Sequence, residues 1–495
     1  MSSRFNLDLL LTCFKQKLFK YRFLCLSLTT LVLVANTKLA LAQSPTLITD
    51  ESAEIKTFWL IISGILVFSM NAGFAMLEAG FCTRKNLTNI LAKNLIVFCI
   101  ATLAFWAFGF SLMYSDHANP LLGGLQGAFF YIPFASEAKN FPDYYSQLET
   151  LWGDRSFAAV FFFQLVFAGT AATIISGAVA ERIKFRAFAL FSFVMVAFIY
   201  PFIGHWVWAT DGLLKNPNFL NFQDFAGSAV VHSVGGAAAL SGALLLGTRL
   251  DYSQRYQPEF RPNNLGFGTL GCFILWLGWF GFNGGSAQDL ANVPHIVVTT
   301  MMSAASGGIA VLFFAILFEG QRKLATLING ILGGLVGITG ASAYVELRWA
   351  FLIGIVSGLF VLWGEYILER CQIDDPVGAI PVHLFCGLWG TLAVGLFCDL
   401  SGQYSSEYVY KYSWLTQTFY QLLGWIVIVT TTFLLSSLAW LFIGNFLAWR
   451  ERFSLLNRHS ELKPGERNFF TNGCYGIRVS PQLERIGSDD FFEQV

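Results

Sequence analysis

The chain has 495 residues, 55% of them hydrophobic and 13% charged, with no formal net charge. A soluble domain carries about a quarter charged residues, so the deficit argues against an ordinary soluble globule and points to the lipid bilayer. The even charge balance gives no basic patch for nucleic acid and no acidic run for a solvating tail.

The N-terminus reads as a secretory signal peptide over 1–42. Arg4, Lys15, Lys17, Lys20 and Arg22 form a positive stretch, Phe23 to Ala35 an apolar one, and Ala40-Leu41-Ala42 a cleavage site of small residues. The mature chain then starts near Gln43; the competing reading is an uncleaved first span. Windows of about twenty apolar residues mark membrane helices. Eleven occur after it, at 57–80, 94–114, 156–180, 185–208, 225–247, 265–284, 294–318, 324–343, 349–369, 376–398 and 414–448. Short connections draw them into one bundle, a membrane domain over 43–448 with a tail at 449–495. Cys99, Cys272 and Cys386 lie inside apolar runs and act as small hydrophobes. The cysteines have no metal-ligand spacing, so neither metal nor cofactor is expected.

A cleaved signal leaves the mature N-terminus outside, and loop charge agrees. The loops expected in the cytoplasm hold Arg84, Lys85 and Lys93, then Arg182, Lys184 and Arg186, then Arg249, Arg255 and Arg261, then Arg322 and Lys323. The opposite loops hold fewer, among them Lys139, Arg155, Lys215 and Arg348. The tail is then cytoplasmic.

An internal repeat carries the most information. DFAGSAVVHSVGG (224–236) and DPVGAIPVHLFCG (375–387) both fit D-x-x-G-x-x-x-V-H-x-x-x-G. This aligns Asp224, Gly227, Val231, His232 and Gly236 with Asp375, Gly378, Val382, His383 and Gly387. One copy opens the fifth span and the other the tenth. An odd number of spans apart, they enter the membrane from opposite faces, as in an inverted-topology repeat with its site near the midplane. The fold class expected is an all-α membrane protein of eleven helices, two inverted five-helix halves plus an eleventh. A weaker echo pairs Asn71-Ala72-Gly73 with Asn283-Gly284-Gly285, again five spans apart.

Eight helical residues separate each aspartate from its histidine, about 12 Å of depth. Two such approaches from opposite sides of a core about 30 Å thick meet near its centre. Of the six histidines, only His232 and His383 fall deep in spans. Ionisable groups at that depth are costly and usually functional. Two neutral imidazoles offer hydrogen bonds to a small polar solute without trapping a cation. Aromatic faces at a mouth attract cations, and phenylalanines deeper in form an apolar constriction. Phe163, Phe167, Trp208, Trp279 and Phe282, with polar Asn283 and Ser286, are the candidates, although such residues also serve as packing and interfacial anchors.

Six segments, NAGFAMLEAGF (71–81), RKNLTNILAKNL (84–95), GAVAERIKF (177–185), DFAGSAVVH (224–232), WLGWFGFNGGSA (276–287) and DDPVGAIPVHLFCG (374–387), resemble the ammonium transporter family (Amt/Mep/Rh), and its Amt branch in particular. The resemblance implies a homotrimer with one pore per protomer in a bacterial-type inner membrane, carrying ammonium or ammonia and also methylammonium. It implies an outer recruitment site of Trp208, Phe167 and Ser286, and a gate of Phe167 over Phe282. It implies paired pore histidines, His232 and His383, with Asp224 as a buried acidic residue, Phe163 and Trp279 beside the gate, and Thr339 as a polar lining residue. Asp375 and Asn283 are supporting positions. Gly340 and Ala343 stand where the family often has proline and glycine, which bears on the break in the eighth span. The tail GIRVSPQLERIGSDDFFEQV resembles the family's regulatory tail, with Ser488 in place of leucine. It implies a docking site for a trimeric PII signalling protein. Two other functions use the same residues: an ammonium sensor with output through the tail, and a redox enzyme with His232 and His383 as axial haem ligands.

Overall fold

The computed structural model describes residues 53–116, 119–130, 141–250, 252–254, 261–317, 324–398, 413–457 and 476–487. The expected signal peptide 1–42, His117, Lys139, Arg255, Arg322, Lys323, His459 and Ser488 lie outside them. Among the described residues nine helices are long and apolar enough to cross a membrane, and two shorter apolar helices accompany them. In chain order they are α1 (Ala53–Phe81), α2 (Arg84–Tyr114), α3 (Phe157–Ala178), α4 (Phe185–Trp208), α5 (Ser228–Leu246), α6 (Leu265–Gly285), α7 (Leu290–Leu317), α8 (Leu324–Thr339), α9 (Leu347–Arg370), α10 (Pro381–Phe397) and α11 (Trp414–Glu451). These described residues include no strand, only the isolated bridges Asn119–Gly123 and Ile183–Arg478. The chain is thus an all-helical, multi-pass membrane protein, because lipid leaves no partner for backbone polar groups outside a helix.

Helices α3 and α5 are the most enclosed, while α11 presents much of its surface outward. Close approach depends on small residues. A Cβ on Gly236 of α5 would lie 2.6 Å from the Leu384 amide nitrogen of α10, and one on Gly387 of α10 would lie 2.7 Å from the Ser228 carbonyl oxygen of α5. These two glycines let the repeat copies touch backbone to backbone.

Two expectations are corrected. The second helix begins at Arg84, not near 94, so Lys93 is no loop charge: it is fully buried and donates to the Ser176 carbonyl oxygen at 3.1 Å. A single lysine lowers the hydropathy of a window and so hid the first turns of α2. The eighth helix ends at Thr339, short of 343. Its break persists with Gly340 in place of proline, because the Thr339 and Gly340 carbonyl oxygens accept from the Ala226 and Phe225 amides, both at 3.2 Å. The Ser228 hydroxyl also accepts from the Gly340 amide at 2.7 Å.

At one end of the bundle, loops and tail form a charged knot. Arg249 donates to Asp374 Oδ1 and Oδ2 at 2.9 and 2.8 Å and also binds Glu181. Arg182 donates to the Asp374 carbonyl oxygen at 2.6 Å and the Gly247 carbonyl oxygen at 2.8 Å. The tail segment 476–487 lies on this end. Val479 N–H donates to the Arg182 carbonyl oxygen at 3.0 Å, Arg478 donates to the Leu246 carbonyl oxygen at 2.7 Å, and Lys85 donates to the Glu484 carbonyl oxygen at 2.8 Å.

Burial alone would raise the carboxyl groups of Glu181 and Asp374, but Arg249 outweighs it and holds both below the ordinary carboxylate range. Depressed carboxylates stabilise the fold above their unfolded pKa of about 4 and lose that contribution as pH falls through the folded values. Arg249→Ala removes the main counter-charge of two buried carboxylates, leaving Glu181 its Thr83 and Asn86 donors and Asp374 the charge of Arg182, at a cost of about 3–5 kcal/mol. Thermal unfolding in detergent should show a large drop in midpoint for Arg249→Ala at pH 7, and the difference from the wild type should shrink as pH falls below about 4.

Candidate functional site

Both copies of the motif fold alike. Asp224 Oδ1 accepts from Gly227 N–H at 3.0 Å, and Oδ2 accepts from Ala229 and Val230 N–H, each at 2.9 Å. Asp375 Oδ1 accepts from Gly378 N–H at 3.0 Å, and Oδ2 from Ile380 N–H at 2.7 Å. Gly227 at φ 107° and Gly378 at φ 76° occupy the left-handed region, which glycine enters without penalty. Each carboxylate thus satisfies the orphan donors at a helix start.

The spacing predicted plain α-helix up to each histidine. The backbone is instead π-helical over Ser228–Ser233 and Pro381–Phe385, and each histidine lies inside that turn. Pro381 has no N–H to give an α-helical ladder, and π turns concentrate at functional sites. The wider turns bring His232 Nδ1 and His383 Nδ1 to 3.1 Å, with ring centroids 5.2 Å apart. Both rings are buried, and His232 Nε2 has no hydrogen-bond partner. With the two imidazoles in direct contact, no macrocycle fits between them as an axially ligated haem requires.

Above this pair, on the Asp224 side, the His232 ring lies 5.0 Å from Trp279 and 5.4 Å from Phe282. Phe282 stacks on Phe167 at 4.0 Å and 17°. Phe163 packs on Phe167 at 4.6 Å, and Trp208 meets Phe167 edge-on at 6.2 Å. Trp279 Nε1 donates to Thr339 Oγ1 at 2.8 Å, which donates to the Leu335 carbonyl oxygen at 2.7 Å, so the break after α8 orients the indole beside His232. Asn283 donates to Thr300 Oγ1 at 2.9 Å and braces α6 on α7.

An open cavity lies over the phenylalanine pair, lined among others by Phe167, Trp208, Ser286, Asp224, Gln164 and Lys215. The Trp208 indole N–H donates to the Asp224 carbonyl oxygen at 2.8 Å, which fixes the ring at the cavity wall. Ser286 Oγ donates to the Phe282 carbonyl oxygen at 3.0 Å, leaving its lone pairs available. A second, much narrower cavity lies beyond His383 and is lined in part by Phe74, Glu78, Thr173 and Asn329. The remaining described histidines have structural partners: His205 contacts the Met113 and Asn119 carbonyl oxygens at 3.0 and 3.1 Å, and His295 that of Val345 at 2.9 Å.

The sequence-predicted residues Trp208, Phe167, Phe282, His232 and His383 therefore form one run of ring contacts, with Ser286 on the first cavity. Lys215 and Gln164 also line the first cavity and Glu78 the second, and sequence reasoning missed all three. Glu78 carried a signal, a carboxylate inside an expected span; Lys215 sits in a loop, where a lysine carries none. No group of three or more potential metal ligands occurs among the described residues.

A family model described as "Ammonium Transporter Family" matches residues 58–452. The chain belongs to the ammonium transporter family. Among its relatives in this family, Ammonium transporter Amt2 of Archaeoglobus fulgidus is 38% identical over 476 residues, covering 93% of this chain and 92% of the relative. A putative ammonium transporter of Synechocystis is 42% identical over 372 residues, covering 72% of this chain and 79% of the relative. Among solved structures, one described as "Sensor Amt Protein" superposes with a TM-score of 0.71 at 34% identity, over 89% of this chain and 98% of that one.

Burial raises the Asp224 carboxyl, and the backbone donors of Val230, Ala229 and Gly227 hold the rise to about 6. Asp224→Ala orphans those donors, each costing about 1–3 kcal/mol when buried. The thermal midpoint should fall for Asp224→Ala and fall less for Asp224→Asn, which retains an acceptor oxygen.

Proposed function

We propose that each protomer conducts ammonium or ammonia across a bacterial-type inner membrane through the path that runs from the first cavity, past Phe167 and Phe282, to His232 and His383. Family membership makes the chain a transporter rather than an enzyme. The observation that carries the reading is the direct contact of the two buried imidazoles at 3.1 Å, directly below a stacked aromatic pair.

In this reading the first cavity faces outside. Trp208, Phe167 and Ser286 recruit the cation, through the aromatic faces and the free lone pairs of the serine hydroxyl. The stacked Phe167 and Phe282 make passage of a charged ion costly. Ammonium meets that barrier by giving up a proton, which potassium does not have. The histidine pair then hydrogen-bonds neutral ammonia and handles the proton. Trp279, held by Thr339, and Phe163 keep the gate rings in place. Asp224 and Asp375 fix the two helix starts, and Asn283 braces α6.

The same proposal includes eleven spans in two inverted five-helix halves plus the eleventh, with the N-terminus outside and the C-terminus in the cytoplasm. It also includes a cleaved signal over 1–42, a membrane domain over 43–448 and a tail over 449–495, a homotrimer, methylammonium as a second substrate, and a PII-type partner at the charged end. The equivalent capping by Asp224 and Asp375 supports the repeat. The docking of 476–487 on the charged knot supports a regulatory tail. A second reading, sensing with output through the tail, draws on the similarity to the protein described as a sensor.

Two expected outcomes test this. Ammonium-triggered current or internal-pH change in proteoliposomes should appear in the wild type and be absent with potassium. His232→Ala or His383→Ala should lower the flux at least ten-fold or admit potassium; wild-type flux and selectivity in both variants would sink the proton-handling role. Lys215 donates to the Trp208 carbonyl oxygen at 3.4 Å and lines the first cavity, so its ammonium group competes with the solute there. Removing a like charge about 4 Å away is worth about 1 kcal/mol in water. Lys215→Gln should therefore lower the half-saturating ammonium concentration about five-fold, read from the concentration dependence of the flux.

A further inference from the structure

The wall of the first cavity includes Trp152, Ser286 and Gln288, which come from two distant stretches of chain. Trp152 closes the short helix Gln147–Trp152 ahead of α3, whereas Ser286 caps the end of α6 and Gln288 follows it. Arg155 joins the two stretches. Its Nη2 donates to the Ala287 carbonyl oxygen at 2.9 Å and to the Gln288 carbonyl oxygen at 2.6 Å, and its Nη1 donates to the Trp152 carbonyl oxygen at 2.7 Å. Arg155 is 5% exposed and lies behind the cavity wall rather than on it.

A helix end leaves carbonyls without partners and gathers partial negative charge, so a cation placed there is favourable. The planar guanidinium fork can hold several carbonyls at once, which a lysine cannot. Here it holds the two carbonyls that directly follow Ser286. Neutral ties converge on the same junction. Gln288 Nε2 donates to the Leu151 carbonyl oxygen at 3.2 Å, Ser156 N–H to Thr57 Oγ1 at 3.1 Å, and the Trp59 indole N–H to the Gly284 carbonyl oxygen at 2.9 Å. The start of α1, the segment ahead of α3 and the end of α6 thus meet at Arg155. Trp152 in turn meets Phe163 edge-on at 5.9 Å, and Phe163 packs on Phe167 at 4.6 Å, so the junction continues into the gate rings.

We infer that Arg155 is a positioning residue for the outer recruitment site: it fixes Ser286 and Trp152 relative to each other and acts on the solute only through them. The inference rests on the proposed function for the role of the first cavity. Without the guanidinium, the end of α6 and the segment ahead of α3 keep only their neutral ties, and Ser286 loses its fixed place opposite the aromatic wall. The histidine pair is untouched by that change. Recruitment therefore weakens while passage through the centre does not, and half-saturation parts from maximal flux.

The full-length protein provides the test, with two readouts. Flux is followed by internal pH in reconstituted vesicles over a range of ammonium chloride concentrations. Binding is followed without transport, as the rise in thermal midpoint in detergent with ammonium chloride over a sodium chloride control. Arg155→Ala should raise the half-saturating ammonium concentration at least five-fold in both readouts, with maximal flux per folded protein within about two-fold of the wild type. Arg155→Lys, which keeps the charge but not the fork, should show a smaller rise of at least two-fold, and it decides the matter if Arg155→Ala does not fold. Arg249→Ala, at the other end of α5, should lose thermal midpoint without altering half-saturation, which separates positioning from a general loss of stability. Wild-type half-saturation in every Arg155 variant that folds, or a loss confined to maximal flux, overturns the inference, while flux in the wild type leaves the proposed function standing. A shifted binding curve in the variants without flux in the wild type sustains the positioning role and overturns the transport reading. Neither flux nor an ammonium-specific rise in the wild type overturns both.

Discussion

The structure depends on how two helices can begin inside a bundle without leaving backbone donors bare. Lipid offers no partner for an N–H group. Asp224 and Asp375 supply those partners from carboxylates at the starts of α5 and α10, and left-handed glycines three residues later turn the chain inward. Beyond each turn a wide π-helical coil carries a histidine to the bundle's centre. The glycines at 236 and 387 then let α5 and α10 meet closely enough for the two rings to touch. Capping, close packing and the imidazole contact are thus one interlocked arrangement.

Polarity along the proposed path is graded by the same arrangement. The first cavity mixes aromatic faces with Ser286, Gln164, Asp224 and Lys215. The stacked Phe167 and Phe282 interrupt it with a purely apolar layer. The imidazoles restore hydrogen bonding without a permanent charge, and the second cavity adds the polar residues Glu78, Thr173 and Asn329 to its wall. Trp279 is oriented by Thr339 at the very residue where α8 stops, so the helix break and the path share a hydrogen bond. Gly340 keeps that break because the loop after Asp224, rather than a proline ring, determines where the last carbonyls of α8 go.

The charged knot of Glu181, Arg249, Arg182 and Asp374 joins the loop after α3, the loop after α5 and the approach to α10. Asp374 is the immediate neighbour of the capping Asp375. The tail segment therefore rests on the same loops that anchor the second histidine helix.

The sequence by itself determined the membrane class, the approximate spans, and the two motifs whose histidines pair. It did so because hydropathy and the spacing of aspartate, glycine and histidine are local properties that a chain carries unfolded. It also marked Phe167, Phe282, Trp208 and Ser286 as candidates from their places in the spans, although only the resemblance gave them roles, since aromatic residues in spans have no distinguishing period. Only the tertiary structure decided that the histidine segments are π-helical, that Lys93 is buried in a helix, and that Trp279 is held by Thr339. It alone brought Glu78, Thr173 and Asn329 to one cavity and Lys215 to the other. Those residues lie on different helices and loops, far apart in the chain. Which faces of those helices meet is fixed by how side chains and glycines pack between them, and one-dimensional spacing does not encode that.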